Sequence, residues 1–454
     1  MSEAYFAIST AYAVFSVALG ALEFYRIRAS GPDAITVFIV IFVLQCCLPG
    51  IGIYAALPLS FAAEPTGNNV FDGIFQRLNV TTAFVVLELT IWFAVFFYVG
   101  ASGGRIILQR LFPRLVAASL RLEGVEYRLL LFLFGGLALT VISFVLLGDD
   151  IVDSYSKLIR LRAYADDVER TGLSAYAFEL TQAWGWLSVP ALFAISEKRR
   201  RGLIWFACLI CAALFAVLGA SRRAIFIPIM LCYFTVLIYD GRWRARLLVA
   251  IAIPTLVLIA FGKEFLSTIA FGGAVADVTS RYDSTVSAIL RASSEQGITI
   301  VESLGTLTFL DDRLRLGVDH LLSIAQRFPH RQLGFNIDFP TRIVRISTEA
   351  FASPDNQDIP PGLLGQMWLD FRVLGPVAWG ILMGAQTSVA QFFYERCQRN
   401  LQSSSLVALV VFLIALPINT GSYDFTFSVD VIATVAALVL AYRVRRIIPA
   451  SKKT

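Results

Sequence analysis

Apolar residues run in long blocks along this chain, and polar residues collect between them. Eleven blocks stand out, at approximately 4–23, 34–58, 80–101, 129–148, 174–196, 203–219, 223–239, 246–262, 371–393, 404–418 and 428–443. The runs are continuous, which argues against the alternating strands of a membrane barrel. A spanning helix needs about 20 mostly apolar residues to cross a hydrocarbon core about 30 Å thick. Backbone groups cannot stay unpaired in lipid, so each block is expected to be a helix. The fifth block is interrupted by Glu179, Gln182 and Gly185. The first begins almost at Met1 without a basic start and is read as a retained helix. The pattern predicts an all-α, polytopic helix bundle in three parts: helices one to eight over 1–262, a large polar segment over 263–370, and helices nine to eleven with a tail over 371–454.

The connections carry the orientation. Arg26 and Arg28 follow the first block, and Arg105, Arg110, Arg114, Arg121 and Arg128 the third. Lys198 to Arg201 follow the fifth, and Arg242, Arg244 and Arg246 the seventh. Arg396 and Arg399 follow the ninth, and Arg443, Arg445, Arg446, Lys452 and Lys453 the eleventh. Every second connection is basic, which is the positive-inside pattern. It puts these connections and the C-terminus in the cytoplasm, and the N-terminus and the segment 263–370 outside.

Composition agrees: hydrophobic residues make up 57% and charged residues 16%, outside the range of ordinary soluble domains. The net charge of +5 belongs to the helix ends and implies no nucleic acid partner. Of six cysteines, five lie in apolar runs and Cys397 in a basic connection, so no disulfide framework is expected. Cys208 and Cys211 have metal or redox spacing, but their apolar surroundings favour packing.

The long polar segment holds both histidines, His320 and His330. From Lys263 to Asp358 it carries eight arginines, one lysine and twelve acids. Ile300, Val301, Leu304 and Leu307 share a helical face, as do Val318, Leu321, Leu322, Ala325 and Phe328. Short amphipathic helices over the external mouth are expected. Before the seventh block stands Gly219-Ala220-Ser221-Arg222-Arg223. These arginines face outward, against the charge bias of the other connections. Ser221 is a plausible N-cap, and a helix N-terminus beside two guanidiniums favours phosphate. The other reading is contact with lipid headgroups. No metal-binding, nucleotide-binding or nucleophile-elbow motif occurs, so no cofactor or metal is expected. Candidate general bases are His320, Glu295, Glu302 and Asp283.

Three stretches resemble the Wzy-type polymerases of bacterial surface polysaccharide, the O-antigen or oligosaccharide repeat-unit polymerases. They are Gly219-Ala220-Ser221-Arg222-Arg223; Ser280-Arg281-Tyr282-Asp283 followed by Gly297-Ile298-Thr299; and Asp358-Ile359-Pro360-Pro361-Gly362-Leu363-Leu364-Gly365-Gln366 with Asp370-Phe371 and Leu374-Gly375. Phe328-Pro329-His330-Arg331 resembles the family's late proline-arginine element. The chain departs from the pattern at Gln366, Asp370 and Arg372, where the family has an acid and an Asn-Phe-Gly-like step.

The resemblance implies an integral-membrane glycosyltransferase of the bacterial inner membrane. It would polymerise undecaprenyl-diphosphate-linked repeat units on the periplasmic face, as in building lipopolysaccharide O-antigen. Arg222, Arg223, Arg281 and Arg331 would bind diphosphate, and a membrane chain-length regulator would be a partner. A ligase moving finished glycan from the same carrier, a lipid-linked oligosaccharide flippase or other transporter, and an inactive scaffold subunit remain alternatives.

Overall fold

The computed structural model describes residues 2–60, 69–113, 119–124, 126–146, 148–150, 153–154, 157, 173–196, 210–211, 222–242, 290, 293–294, 296–312, 314–318, 346–347, 350–351, 360–397, 399–421 and 429–447. In order, these contain α1 (Ser2–Ser30), α2 (Ala34–Phe42), a π-turn (Val43–Cys47), α3 (Leu48–Ser60), α4 (Asn69–Arg77) and α5 (Val80–Leu111). Next come β1 (Ser119–Gly124), α6 (Glu126–Val145), α7 (Leu173–Ser196), α8 (Arg222–Asp240), α9 (Ile298–Phe309) and α10 (Leu363–Phe371). The last are α11 (Leu374–Arg396), α12 (Leu401–Thr420), α13 (Val429–Ala441) and β2 (Tyr442–Ile447).

Helices occupy nine of the eleven expected positions; the blocks at 203–219, apart from Ile210 and Cys211, and at 246–262 lie outside the described residues. Among the described residues, four helices are long and apolar enough to cross a membrane: Ser2–Ser30, Ala34–Pro58, Val80–Leu111 and Leu401–Ile418. The bent pair α10 and α11, whose axes differ by 118°, makes a fifth where the pair counts as one span. The chain is thus a membrane helical protein. Helix starts are fixed by polar caps. Asp33 and Thr36 form a capping box at α2, Asn79 accepts from Thr82 N at α5, and Asn400 and Ser403 form a second box at α12. Each supplies acceptors that the first turn otherwise lacks.

The bundle is built around α5 and α11, which run parallel. Gly380 opposes Phe93, Gly384 opposes Phe97 and Ala101, and Gly104 opposes Ala385. Both helices carry glycines four apart, Gly100 with Gly104 and Gly380 with Gly384. A Cβ on Gly384 would overlap the Phe97 carbonyl, and one on Gly380 would lie 2.7 Å from the Phe93 carbonyl oxygen. The backbones therefore touch, as small residues allow in lipid. Phe38 of α2 stacks on Phe97 at 4.0 Å between centroids, and Tyr12 of α1 on Tyr54 of α3 at 5.7 Å.

The described parts of the basic connections meet at one end. Arg105 pairs with Glu395 at 3.1 Å, and Ala34 N donates to Gln391 Oε1 at 3.0 Å. Arg399 Nη2 donates to the Ile238 carbonyl at 2.8 Å and lies beside Gly241, which is itself against Gly31. Here the ends of α1, α5, α8 and α11 and the starts of α2 and α12 come together. Antiparallel β1 and β2 pair Ser119 with Ile447 through Gly124 with Tyr442, and β1 touches α12. Among the described residues, the basic connections therefore share one end of the bundle.

Candidate functional site

The opposite end of the bundle is where the polar segment meets the membrane helices. Its helix α9 goes deeper than a lid. Residues Thr299 through Leu307 are all buried, without the exposed face of an amphipathic surface helix. Gln296, just before α9, donates from Nε2 to the Leu44 carbonyl at 2.8 Å. Leu44 lies in the π-turn, where the wider helix presents its carbonyls to such a donor. That is ten residues into the span from Ala34, about 15 Å. Gly297 rests against Pro49 of α3. The far end of α9 rises to Phe309, whose ring faces the Arg77 guanidinium of α4 at 5.3 Å.

The polar residues of α9 account for its depth. Ser303 Oγ donates to the Thr299 carbonyl at 2.5 Å, and Thr308 Oγ1 to Leu304 at 2.7 Å, so hydroxyls satisfy themselves within the helix. Ser303, with Thr299 and Thr306, also seats α10. Thr299 Oγ1 accepts from Leu363 N at 2.8 Å, Ser303 Oγ accepts from Gly365 N at 2.9 Å, and Thr306 Oγ1 donates to the Pro361 carbonyl at 2.6 Å. Positions 299, 303 and 306 fall on one face, and α10 has no capping side chain of its own. Gly362 turns at φ +71° with its Cα against the Ser303 backbone; a left-handed backbone in so tight a place suits glycine alone. Both α9 and α10 thus start inside the bundle and climb to its surface.

Glu302 stands on α9 beside this seat, 2% exposed. Its carboxyl lies against Gly421, the left-handed residue that ends α12, and Pro360 lies close by. A carboxyl so buried must be hydrogen-bonded or neutral. At the top of α10, Asp370 is fully buried and its Oδ1 accepts from Gly317 N at 3.0 Å. Gln366 is buried as well. Gln366 and Asp370 are two of the three positions at which the chain departs from the resembled pattern, and both pack inward, whereas Arg372 is half exposed.

Arg222 and Arg223 open α8. The helix has 19 residues, about 28 Å, and its last turn is among the basic connections. Its first turn is therefore at the same end of the bundle as α9 and α10. Of the other expected site residues, Glu295, His320, Asp283, Arg281 and Arg331 lie outside the described residues. The hydroxyl column Thr299, Ser303 and Thr306 was not anticipated; its spacing of four and three was the available signal. Comparison with protein-family models, with curated proteins and with solved structures finds no match for this chain.

Proposed function

We propose that this protein polymerises undecaprenyl-diphosphate-linked oligosaccharide repeat units into a surface polysaccharide, as an eleven-span enzyme of the bacterial inner membrane. Its N-terminus is periplasmic and its C-terminus cytoplasmic. The observation that carries the reading is the position of the first turn of α8. Arg222 and Arg223 begin a helix at the end of the bundle away from every described basic connection. Positive charge on the wrong side of the orientation rule needs a partner, and a lipid diphosphate supplies one.

The reaction follows from that placement. An acceptor sugar hydroxyl attacks the anomeric carbon of the donor. The bond from that carbon to the diphosphate oxygen breaks, and the diphosphate leaves with the electron pair. Arg222, Arg223 and Arg281, with Arg331, bind the diphosphate and stabilise its developing charge. A base takes the hydroxyl proton. Glu302 is too deeply buried to meet an acceptor sugar in this conformation, which favours His320, Glu295 or Asp283 for that role and leaves Glu302 to position α10. The two glycans are held where the polar segment adjoins the bundle, and the lipid tails lie along the helices.

The test is a reconstitution. Purified protein in liposomes is given polyprenyl-diphosphate-linked repeat units, and the products are resolved by mass spectrometry. A ladder of multiples on the lipid carrier supports polymerisation. Single units that persist unchanged contradict it, and transfer of finished glycan to a different acceptor favours a ligase.

A further inference from the structure

The elbow between α10 and α11 exposes apolar residues where a polar surface would be expected. Phe371, Val373 and Leu374 stand open on the elbow, Leu374 at 67% exposure. Beside them the turn 310–318 presents Leu314, Leu316 and Val318, Leu316 at 61%. This turn is strapped to the top of α10. Arg315 N donates to the Leu369 carbonyl at 2.8 Å, and Gly317 N to Asp370 Oδ1 at 3.0 Å. Asp311 Oδ1 accepts from Trp368 Nε1 at 2.5 Å and pairs with Arg372 at 3.1 Å. The Arg372 guanidinium lies 5.4 Å from the Trp368 ring centre.

Two non-glycine residues here have left-handed backbone, Leu316 and Arg372, each at φ 53°. Among the described residues no other non-glycine does. Such strain persists only where surrounding contacts impose it. Here it turns a leucine outward into what would be solvent. The surface is also continuous with the apolar outer face of α11, where Ile381, Leu382, Val389 and Phe393 are exposed. That helix has 23 residues, about 34 Å, against a hydrocarbon core of about 30 Å. With Arg396 at one boundary, the elbow reaches the other.

We propose that the elbow and its strap form a foot set in the lipid leaflet at the end of the bundle opposite the basic connections. Leu314, Leu316, Val318, Phe371, Val373 and Leu374 enter the acyl region. Trp368, Asp311 and Arg372 stand at headgroup depth, where aromatic and long charged side chains collect. The strap thereby pins the exit of α9 and the start of α11 to the membrane surface. The inference rests on membrane embedding of α11 and not on the glycan-transfer reading.

Photo-crosslinking tests it on the full chain. Leu316, Val373 or, as a control on the same turn, exposed Asp312 is replaced by p-benzoylphenylalanine. The protein is reconstituted in phosphatidylethanolamine and phosphatidylglycerol vesicles carrying an acyl-chain-labelled phospholipid, and a folded elution profile is required of each variant. Label transfer at 316 and 373 several-fold above that at 312 is expected. Transfer at 316 and 373 no higher than at 312 would overturn the foot. Two independent positions keep the test decisive if one variant misfolds.

Discussion

The Glu302 carboxyl presses on Gly421: a Cβ added to that glycine would overlap Oε2. The contact joins the polar segment to the end of a spanning helix, across a buried layer that also holds Pro360. Gly421→Ala adds a methyl at φ +72°, which costs about 1–2 kcal/mol for the backbone alone, and it also displaces the carboxyl. Glu302→Ala removes the obstacle. Thermal unfolding in detergent should show both single variants destabilised, and the double variant less destabilised than their sum by about 0.5–3 kcal/mol. Strict additivity would separate the two residues.

At the other end, Tyr98 donates to Glu23 Oε1 at 2.5 Å. Arg26 grips the same carboxylate through Nε at 3.0 Å and Nη2 at 2.6 Å, and Asp33 through Nη1 at 2.6 Å. The α1–α2 turn is tied to α5 by this group. Tyr98→Phe should cost about 1.5–3 kcal/mol, as for a hydrogen bond to a charged acceptor. Arg26→Ala should cost about 3–5 kcal/mol, because two largely buried carboxylates lose their counter-ion. Chemical denaturation in detergent measures both.

The parallel pair α5 and α11 depends on backbone contact. Gly384→Val should prevent it, giving aggregated or degraded protein on size-exclusion chromatography. Gly103→Ala, one residue from the seam, has open space at its Cβ. It should be neutral or stabilising by up to about 1 kcal/mol.

Function tests the first turn of α8. Arg223→Ala should leave insertion and unfolding temperature unchanged while lowering polymerisation about 10²–10³-fold, the usual loss for one group that stabilises transition-state charge. In cells this appears as a collapse of polymer length. Polymer of normal length would remove Arg223 from the site.

Much of the architecture was legible because a spanning run is a local feature. The run starting at 80 begins beside its cap Asn79, and the described basic residues after the odd blocks mark the end at which those helices meet. The depth of α9 was not legible. Ile300, Val301, Leu304 and Leu307 read as one face of a surface helix, and the pattern assigns Thr299, Ser303 and Thr306 no role. Those hydroxyls face α10 or bond within the helix, so they are buried without penalty. The Gln296 bond to Leu44 joins residues 252 apart, and neither it nor the π-turn leaves a periodic trace. The strap at Leu316 and the elbow at Arg372 depend on left-handed backbone at residues that rarely adopt it. Tyr442 to Arg445 alternates apolar and basic residues, but the arginines had a sufficient reading as the flank of a span, and the partner strand lies more than 300 positions earlier.

Sidedness is the claim on which the glycan-transfer account stands, and labelling at the residue before α8 measures it most directly. Ser221→Cys is exposed to a membrane-impermeant maleimide in right-side-out vesicles, with the unsubstituted chain as blank. Burial pushes the native Cys397 thiol above its ordinary range, so at neutral pH it contributes little thiolate to the background. The account predicts labelling of position 221 in sealed vesicles, before any permeabilisation. Labelling only after the membrane is opened would put Arg222 and Arg223 in the cytosol and contradict it.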